Sequence, residues 1–510
     1  MLRPKSPQTE ERAAPTPQGG RARRRRLRRR RDRRGVALVM VLGAITVLTV
    51  FLTELQEETS TELSAALADR DALRAEYYAR SAVNLSRMLI AAEPSVSQTI
   101  GPMLAIIGLK GNFQVPVWKF TDMFLGPFNA QLTEPGAAPP DEAAAAASGE
   151  GSAAAGKNLG LTGGGRFELK IVDEDSKINI NRAADDVGGI ADQIAVGAQL
   201  ISLMSPPQYN PLFEERDGDG QFSDRATICS ALVDWADPGD QTFVCDTSTN
   251  APSSTGAEDS FYQTVGLPYV RKNAPFDSFE ELRLIRGMGD DFWATFVDPD
   301  PNNPDKRVLT VWGNRKQKVN VTSANAQMLL TLTCSADFVD VATTPLCTDV
   351  NQQTSFLTVA SLVQSMTGGI LFPTPKDFVD AMTQKAGNTL GAMLGQQFKA
   401  MGVEAVKFKP NATKALGNRS NFLSIYADGV VPGNKRETRV RIHAVIDLTG
   451  AQKLGSGGGG GSGGGGGSGG NGGSGGNGGP GATGAPPTPE SYEQQVRSNP
   501  AGTIIYYRIE

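Results

Sequence analysis

Seventeen consecutive residues, Val36 to Leu52, carry no charge and are mainly apolar. As a helix at 1.5 Å per residue they span about 25 Å, enough to cross the hydrocarbon of a bilayer. Directly before them, residues 1–35 hold fourteen Lys and Arg against Glu10, Glu11 and Asp32, a net charge of +11. Positive flanks stay on the cytoplasmic side, so the expected topology is a single pass with the N-terminus in the cytoplasm and the rest of the chain sent across the membrane. The formal charge of the chain is −4, and subtracting the +11 arm leaves −15 for the rest. An acidic body is a poor partner for phosphates, which argues against nucleic-acid binding beyond the arm.

A cleaved secretory signal would end its apolar run in a small-residue site. Here the run leads instead into "TELQEETSTELSAALADRDALRAEYYARSAVNLSRMLIAAE". No Gly or Pro occurs between Ala44 and Glu93, so nothing interrupts a helix. Leu55, Leu63, Ala66, Leu67, Leu73, Tyr77 and Leu85 form an irregular apolar stripe on it. A helix from the membrane to about residue 90 would be about 85 Å long and reads as a stalk.

Beyond it, residues 135–165 are rich in Ala, Gly and Pro and read as a spacer. In "RFELKIVDEDSKININRA", Phe167, Leu169 and Ile171 alternate with polar residues, as do Ile178 and Ile180, which predicts two short strands around a polar turn. A related phrase, "KVNVTSAN", sets Val319 and Val321 in the places of Ile178 and Ile180, suggesting parallel halves of one insertion. Between them, Asp277 or Ser278 can cap a helix with Phe279, Leu282 and Ile285 facing inward and Gly287 and Gly289 at its end. "PTPKDFVDAMTQ", around Phe378 and Met382, predicts a similar unit. Strands return at Phe422–Ala427, and Thr438–Leu448 is expected to pair antiparallel with Thr503–Ile509 across a Gly-rich tether, 455–481. Loop-closure entropy grows only logarithmically with length, so such a tether is tolerable.

The four cysteines fall into two local pairs, Cys229/Cys245 and Cys334/Cys347, and none forms a C-x-x-C. Disulfides in an oxidising compartment fit that spacing better than zinc. His443 is the only histidine, which narrows acid–base and metal chemistry. The carboxylates Asp234, Asp237, Asp240, Glu258 and Asp259 lie close in sequence in "DWADPGD" and "TGAEDSFY". Crowded carboxylates repel unless a cation neutralises them, and an all-oxygen set suits calcium. Asp217, Asp219 and Asp224 in "DGDGQFSD" resemble the start of an EF-hand, but Ile228 stands where the closing glutamate belongs, and a polar turn is the simpler reading. No nucleophile or histidine base accompanies these carboxylates, so an enzyme is not expected.

A basic leader, Gly35, and an apolar segment continuing into a long helix resemble type IV pilin-like proteins. "KININRA", "LVDWADPGD", "GAEDSFYQ", "PYVRKNAPFDSFEELRLIRGM" and "KVNVTSAN" are similar, in order and spacing, to phrases of the K-type minor pseudopilins (the general secretion pathway protein K, or GspK, family) of type II secretion. The resemblance runs from Arg34 to Ile509. It implies an α+β, type IV pilin-like fold, a long N-terminal helix on an antiparallel sheet, with a large inserted α-helical domain. It also implies cleavage between Gly35 and Val36 by a prepilin peptidase with methylation of Val36, calcium in the acidic region, and a place at the pseudopilus tip. Partners implied are the I- and J-type minor pseudopilins and the inner membrane, with the body in the periplasm and the secretin or secreted cargo as further contacts. Most pilins carry Glu at the fifth mature position, here Met40, and its absence is a habit of the K-type family. The domain plan expected is leader 1–35, membrane segment and stalk 36–93, variable region 94–165, strands 166–182, first helical half with the acidic loop 183–307, second half 308–420, and C-terminal strands 421–510. The competing reading is a signal-anchored exported adhesin or binding module. Membrane-tethered DNA binding through the helical hairpins is disfavoured by the acidic body.

Overall fold

The computed structural model describes residues 26–106, 114–121, 165–184, 189–216, 222–245, 260–313, 315–316, 318–433, 436–451 and 499–510. The chain divides into two compact units, Met1–Arg70 and Asp71–Glu510. The first helix, α1 (Arg26–Ile106), contributes to both. It does not stop at Glu93 as expected but continues past Pro94. The continuation is tied down by side chains: Ser97 Oγ donates to Glu93 Oε1, Gln114 Nε2 donates to Glu93 Oε2 at 3.2 Å, and Val115 N donates to Ser97 Oγ at 3.0 Å.

Among the described residues the strands are β1 (Arg166–Asp173), β2 (Ile178–Asn179), β3 (Leu309–Thr310), β4 (Val319–Asn320), β5 (Leu416–Gly417), β6 (Phe422–Pro432), β7 (Glu437–Asp447) and β8 (Thr503–Ile509). The main sheet has the order β1-β6-β7-β8 and is antiparallel throughout. The β7–β8 pair is the one expected from sequence, with one irregularity between Val445 and Ile446. The tether 455–481 lies outside the described residues, as does nearly all of the spacer 135–165.

Side chains on a strand alternate between faces, and here each face of the sheet has its own cover. Phe167, Ile171, Leu423, Ile425, Ala427, Val431, Ile442, Ala444 and Ile446 form one core with Ala75, Tyr78, Ala79, Ala82, Val83, Leu89 and Ile90 of α1. That helical stripe, at i, i+3/i+4 and i+7, starts with small residues, Ala75, Ala79 and Ala82, around Tyr78. It differs from the stripe read from sequence, of which Leu73 and Tyr77 remain 56% and 62% exposed. Small side chains win the contact because helix and sheet lie very close. A Cβ on Gly429 would sit 1.8 Å from Ala75 O, so β6 needs a glycine there.

On the opposite face, Val445 joins the large core of the inserted segment between β1 and β6. Its main helices are α2 (Ile190–Met204), α3 (Arg225–Ala236), α4 (Ala326–Thr333), α5 (Val350–Met366), α6 (Pro375–Met382) and α7 (Leu390–Ala400). Five of their N-termini are satisfied locally. Asp224 accepts from Thr227 N, Asn325 from Met328 N, Asp349 from Asn351 N, Thr374 from Asp377 N and Thr389 from Ala392 N. Phe378 and Met382 are buried in α6 as expected. Phe279, Leu282 and Ile285 are buried too, but on a short 3₁₀ turn (Phe279–Leu284) with no side-chain cap from Ser278. Glu281 instead turns back to accept from Asp277 N at 3.0 Å.

The two short strands expected around 167–171 and 178–180 are present as β1 and β2, and each pairs with a distant strand rather than with the other. β2 pairs parallel with β3, and the matching phrase β4 pairs parallel with β5. The turn between β1 and β2 is occupied by buried polar residues that bind the insert to the sheet. Asp175 accepts from Asn421 N (2.6 Å) and Phe422 N (3.1 Å), and Asn320 Nδ2 donates to Asp173 Oδ2 (2.9 Å) and Ser420 Oγ (2.8 Å). Glu174 and Lys177 form a buried ion pair at 2.9 Å. Burial pushes Asp173 up to about 6 and Asp175 well above the ordinary carboxylate value. Backbone donors and amides therefore fill the role that a polar surface turn was expected to play.

Candidate functional site

The first candidate site is the start of α1. Its large apolar side chains between Val36 and Leu52 are each 54–72% exposed. Among the described residues this is the one helix long and apolar enough to cross a membrane. The hydroxyls within it are satisfied by the helix itself: Thr46 donates to Gly43 O at 2.9 Å, Thr49 to Ile45 O at 2.6 Å and Thr53 to Val50 O at 2.8 Å. Such internal bonds remove the cost of bare hydroxyls in lipid. Gly35 lies inside the helix, its φ is not positive, and a Cβ there would meet nothing within 4 Å. Glycine in a helix interior costs about 0.5–1 kcal/mol relative to alanine. The local fold therefore gives no reason for a glycine at 35. Met40, at the fifth position after it, is exposed.

The second candidate is the acidic loop that follows α3. The disulfide Cys229–Cys245 closes it, and the other pair, Cys334–Cys347, is also bonded. Both disulfides expected from sequence are thus present. Closing about 15 residues is worth about 3 kcal/mol in the chain-entropy model. Within the loop Asp234, 6% exposed, accepts from Phe243 N at 2.7 Å. Burial pushes its pKa up to about 7, with neighbouring Asp237 adding in the same direction and Arg271 opposing. Asp237 Oδ1 accepts from Gly239 N at 3.1 Å, an Asx turn. Asp240 pairs with the buried Arg271 at 3.0 Å.

For calcium, the described donors alone do not fit. Asp234, Asp237 and Asp240 each have a protein partner, and the guanidinium of Arg271 already supplies a neutralising charge. Among the described residues no three His, Cys, Asp or Glu side chains converge as a metal requires. Glu258 and Asp259 lie outside the described residues, as do Asp217 and Asp219. Asp224, grouped with the last two on sequence, serves as the N-cap of α3.

The sequence reading overlooked the other side of this loop. Trp235, Phe261, Arg271 and Arg286 line a cavity of about 280 Å³ beside Asp234. Two arginines in "PYVRKNAPFDSFEELRLIRGM", within an otherwise acidic body, were the available signal. His443 also has a definite place. It stacks on Tyr426 with centroids 4.2 Å apart, and Trp312 and Tyr506 meet it edge-on. Burial, with Arg307 and Lys177 nearby, pushes it down to about 3, so it is a neutral packing group.

Residues 176–296 match the family model for the first domain of type II secretion system protein K. The resemblance read from sequence is thus met by a family model over that part of the insertion. No curated protein matches the chain. Among solved structures, the GspK–GspI–GspJ complex of the enterotoxigenic Escherichia coli type 2 secretion system is similar at 16% identity and a TM-score of 0.32. That likeness covers 56% of this chain and 79% of the matched one, and it is too distant to carry any argument.

Proposed function

We propose that this chain is a non-enzymatic minor pseudopilin of type II secretion, anchored through Val36–Leu52 and cleaved after Gly35. The observation that carries the proposal is the position of the protein K match. It covers residues 176–296, within the segment inserted between β1 and β6 of a sheet whose other face is covered by the N-terminal helix. A helix apolar all round at its start and packed only further on suits a subunit that leaves the membrane to join similar helices. Gly35 supports cleavage, because the glycine has no packing or backbone role where it stands.

In this reading the cytoplasmic arginine arm fixes the orientation and is then removed by a prepilin peptidase. The mature subunit joins I- and J-type minor pseudopilins and caps the tip of the pseudopilus. Met40 supports the tip position, since an end subunit needs no carboxylate to pair with an amino terminus above it. Calcium in the acidic loop is a further proposal that depends on Glu258 and Asp259 joining Asp234 and Asp237. Mass spectrometry of the mature protein decides the central point. Methylated Val36 as the first residue is the expected result, and a chain still carrying its arginines in cells with active peptidase would overturn it.

A further inference from the structure

We propose that the cavity between α3 and the 260–286 segment is a binding site for a carboxylate, a role separate from the acidic loop beside it and independent of the pseudopilin reading. The cavity measures about 280 Å³, at the lower end of volumes that hold small ligands. Two of its lining residues present buried N–H groups, Trp235 Nε1 and Arg286 Nε, without a hydrogen-bond acceptor. Trp235 itself is only 3% exposed. Buried donors are nearly always satisfied, so two orphans lining one cavity call for an acceptor from outside the chain.

The charges around the cavity say which kind of acceptor. Arg271 is matched by Asp240, Asp224 by the backbone of α3, and Asp234 by Phe243 N. Arg286 is left over. It donates one N–H to Phe222 O at 3.2 Å and lies 4.6 Å over the Phe261 ring, but among the described residues no carboxylate pairs with it. A guanidinium held over an aromatic ring, with its Nε–H unpaired, is suited to receive a carboxylate. The aromatic wall of Trp235, Phe261 and Tyr262 would pack against the carbon skeleton that bears it. The chemistry fits either a free small acid or the side chain of an acidic peptide.

The test uses the full chain in detergent, in calcium-stripped buffer, following the indole ¹⁵N–H resonances during titration. One arm adds N-acetyl-glutamate, a second an acetylated Gly-Glu-Gly amide, and a third inorganic phosphate. The expected result is a saturable shift of the Trp235 resonance with at least one carboxylate arm, and the arm that saturates lower identifies the source. Arg286→Gln should weaken that binding tenfold or more. Trp235→Phe, which keeps an aromatic ring in place but removes the donor, should weaken binding measured by calorimetry at a temperature where the variant is still fully folded. No saturation by either carboxylate arm, equal binding of phosphate, or binding indifferent to both substitutions would overturn the assignment.

Discussion

At the scale of single residues, the lone histidine shows how little a residue type says before its surroundings are known. His443 is a natural suspect for catalysis or metal binding, yet it is enclosed by Tyr426, Trp312 and Tyr506 with its pKa pushed down to about 3. Its unfolded value lies near 6.5. A base whose folded pKa is depressed binds fewer protons when folded. Its contribution is therefore fully present above pH 6.5 and is lost as pH falls towards 3. Asp173, raised to about 6, works in the opposite sense over part of that range, so the wild-type profile mixes the two. Comparing His443→Phe with wild type isolates the histidine. The variant should lose less stability between pH 6.5 and 4, by a few kcal/mol in order of magnitude. Parallel pH–melting curves for the two proteins would refute this.

At the scale of elements, the contact of α1 with the sheet is set by what is missing from it. The backbone of Ala75 and Ala79 lies against Gly429, whose added Cβ would collide with Ala75 O at 1.8 Å. Gly429→Val should cost about 3 kcal/mol or more, because backbone cannot yield as a side chain can. Chemical denaturation measures the loss, and an unchanged midpoint would show that helix and sheet are looser than described. The strands β6, β7 and β8 were legible in the sequence because alternation is a strong signal. So were the disulfides, from spacing alone. The docking face of α1 was legible only in part: Leu85 of the stripe read from sequence packs against the sheet core, whereas Leu73 and Tyr77 stay exposed and Ala75, Ala79 and Ala82 make the contact. The strands around 167–180 were legible, but the burial of the polar turn between them was not: Asp173, Glu174, Asp175 and Lys177 are held inside by tertiary hydrogen bonds and an ion pair. In the candidate site, Asp234 was legible and Arg271 and Arg286 were not, because attention to carboxylates hides the cations that answer them.

For the whole molecule, two expectations separate the proposed role from a generic anchored protein. A tagged chain should be found at one end of assembled pseudopili, and labelling along the filament's length would sink the tip assignment. If the proposed calcium site exists, millimolar calcium should raise the melting temperature of the part beyond the membrane segment by several degrees, as ligand linkage at 100-fold over Kd contributes about 2.7 kcal/mol. Identical melting with calcium and with a chelator would remove the metal from the account.

The sheet order adds a constraint of timing. β1 and its neighbour β6 are hydrogen-bonded partners, but residues 174–421 are synthesised between them. In the proposed topology the chain delivers β1 across the membrane long before β6 arrives, so the α1 face that packs on the sheet waits uncovered through most of translocation. Whatever shields that face in the interim, a chaperone or the membrane surface, governs the yield of folded protein as much as the final contacts do.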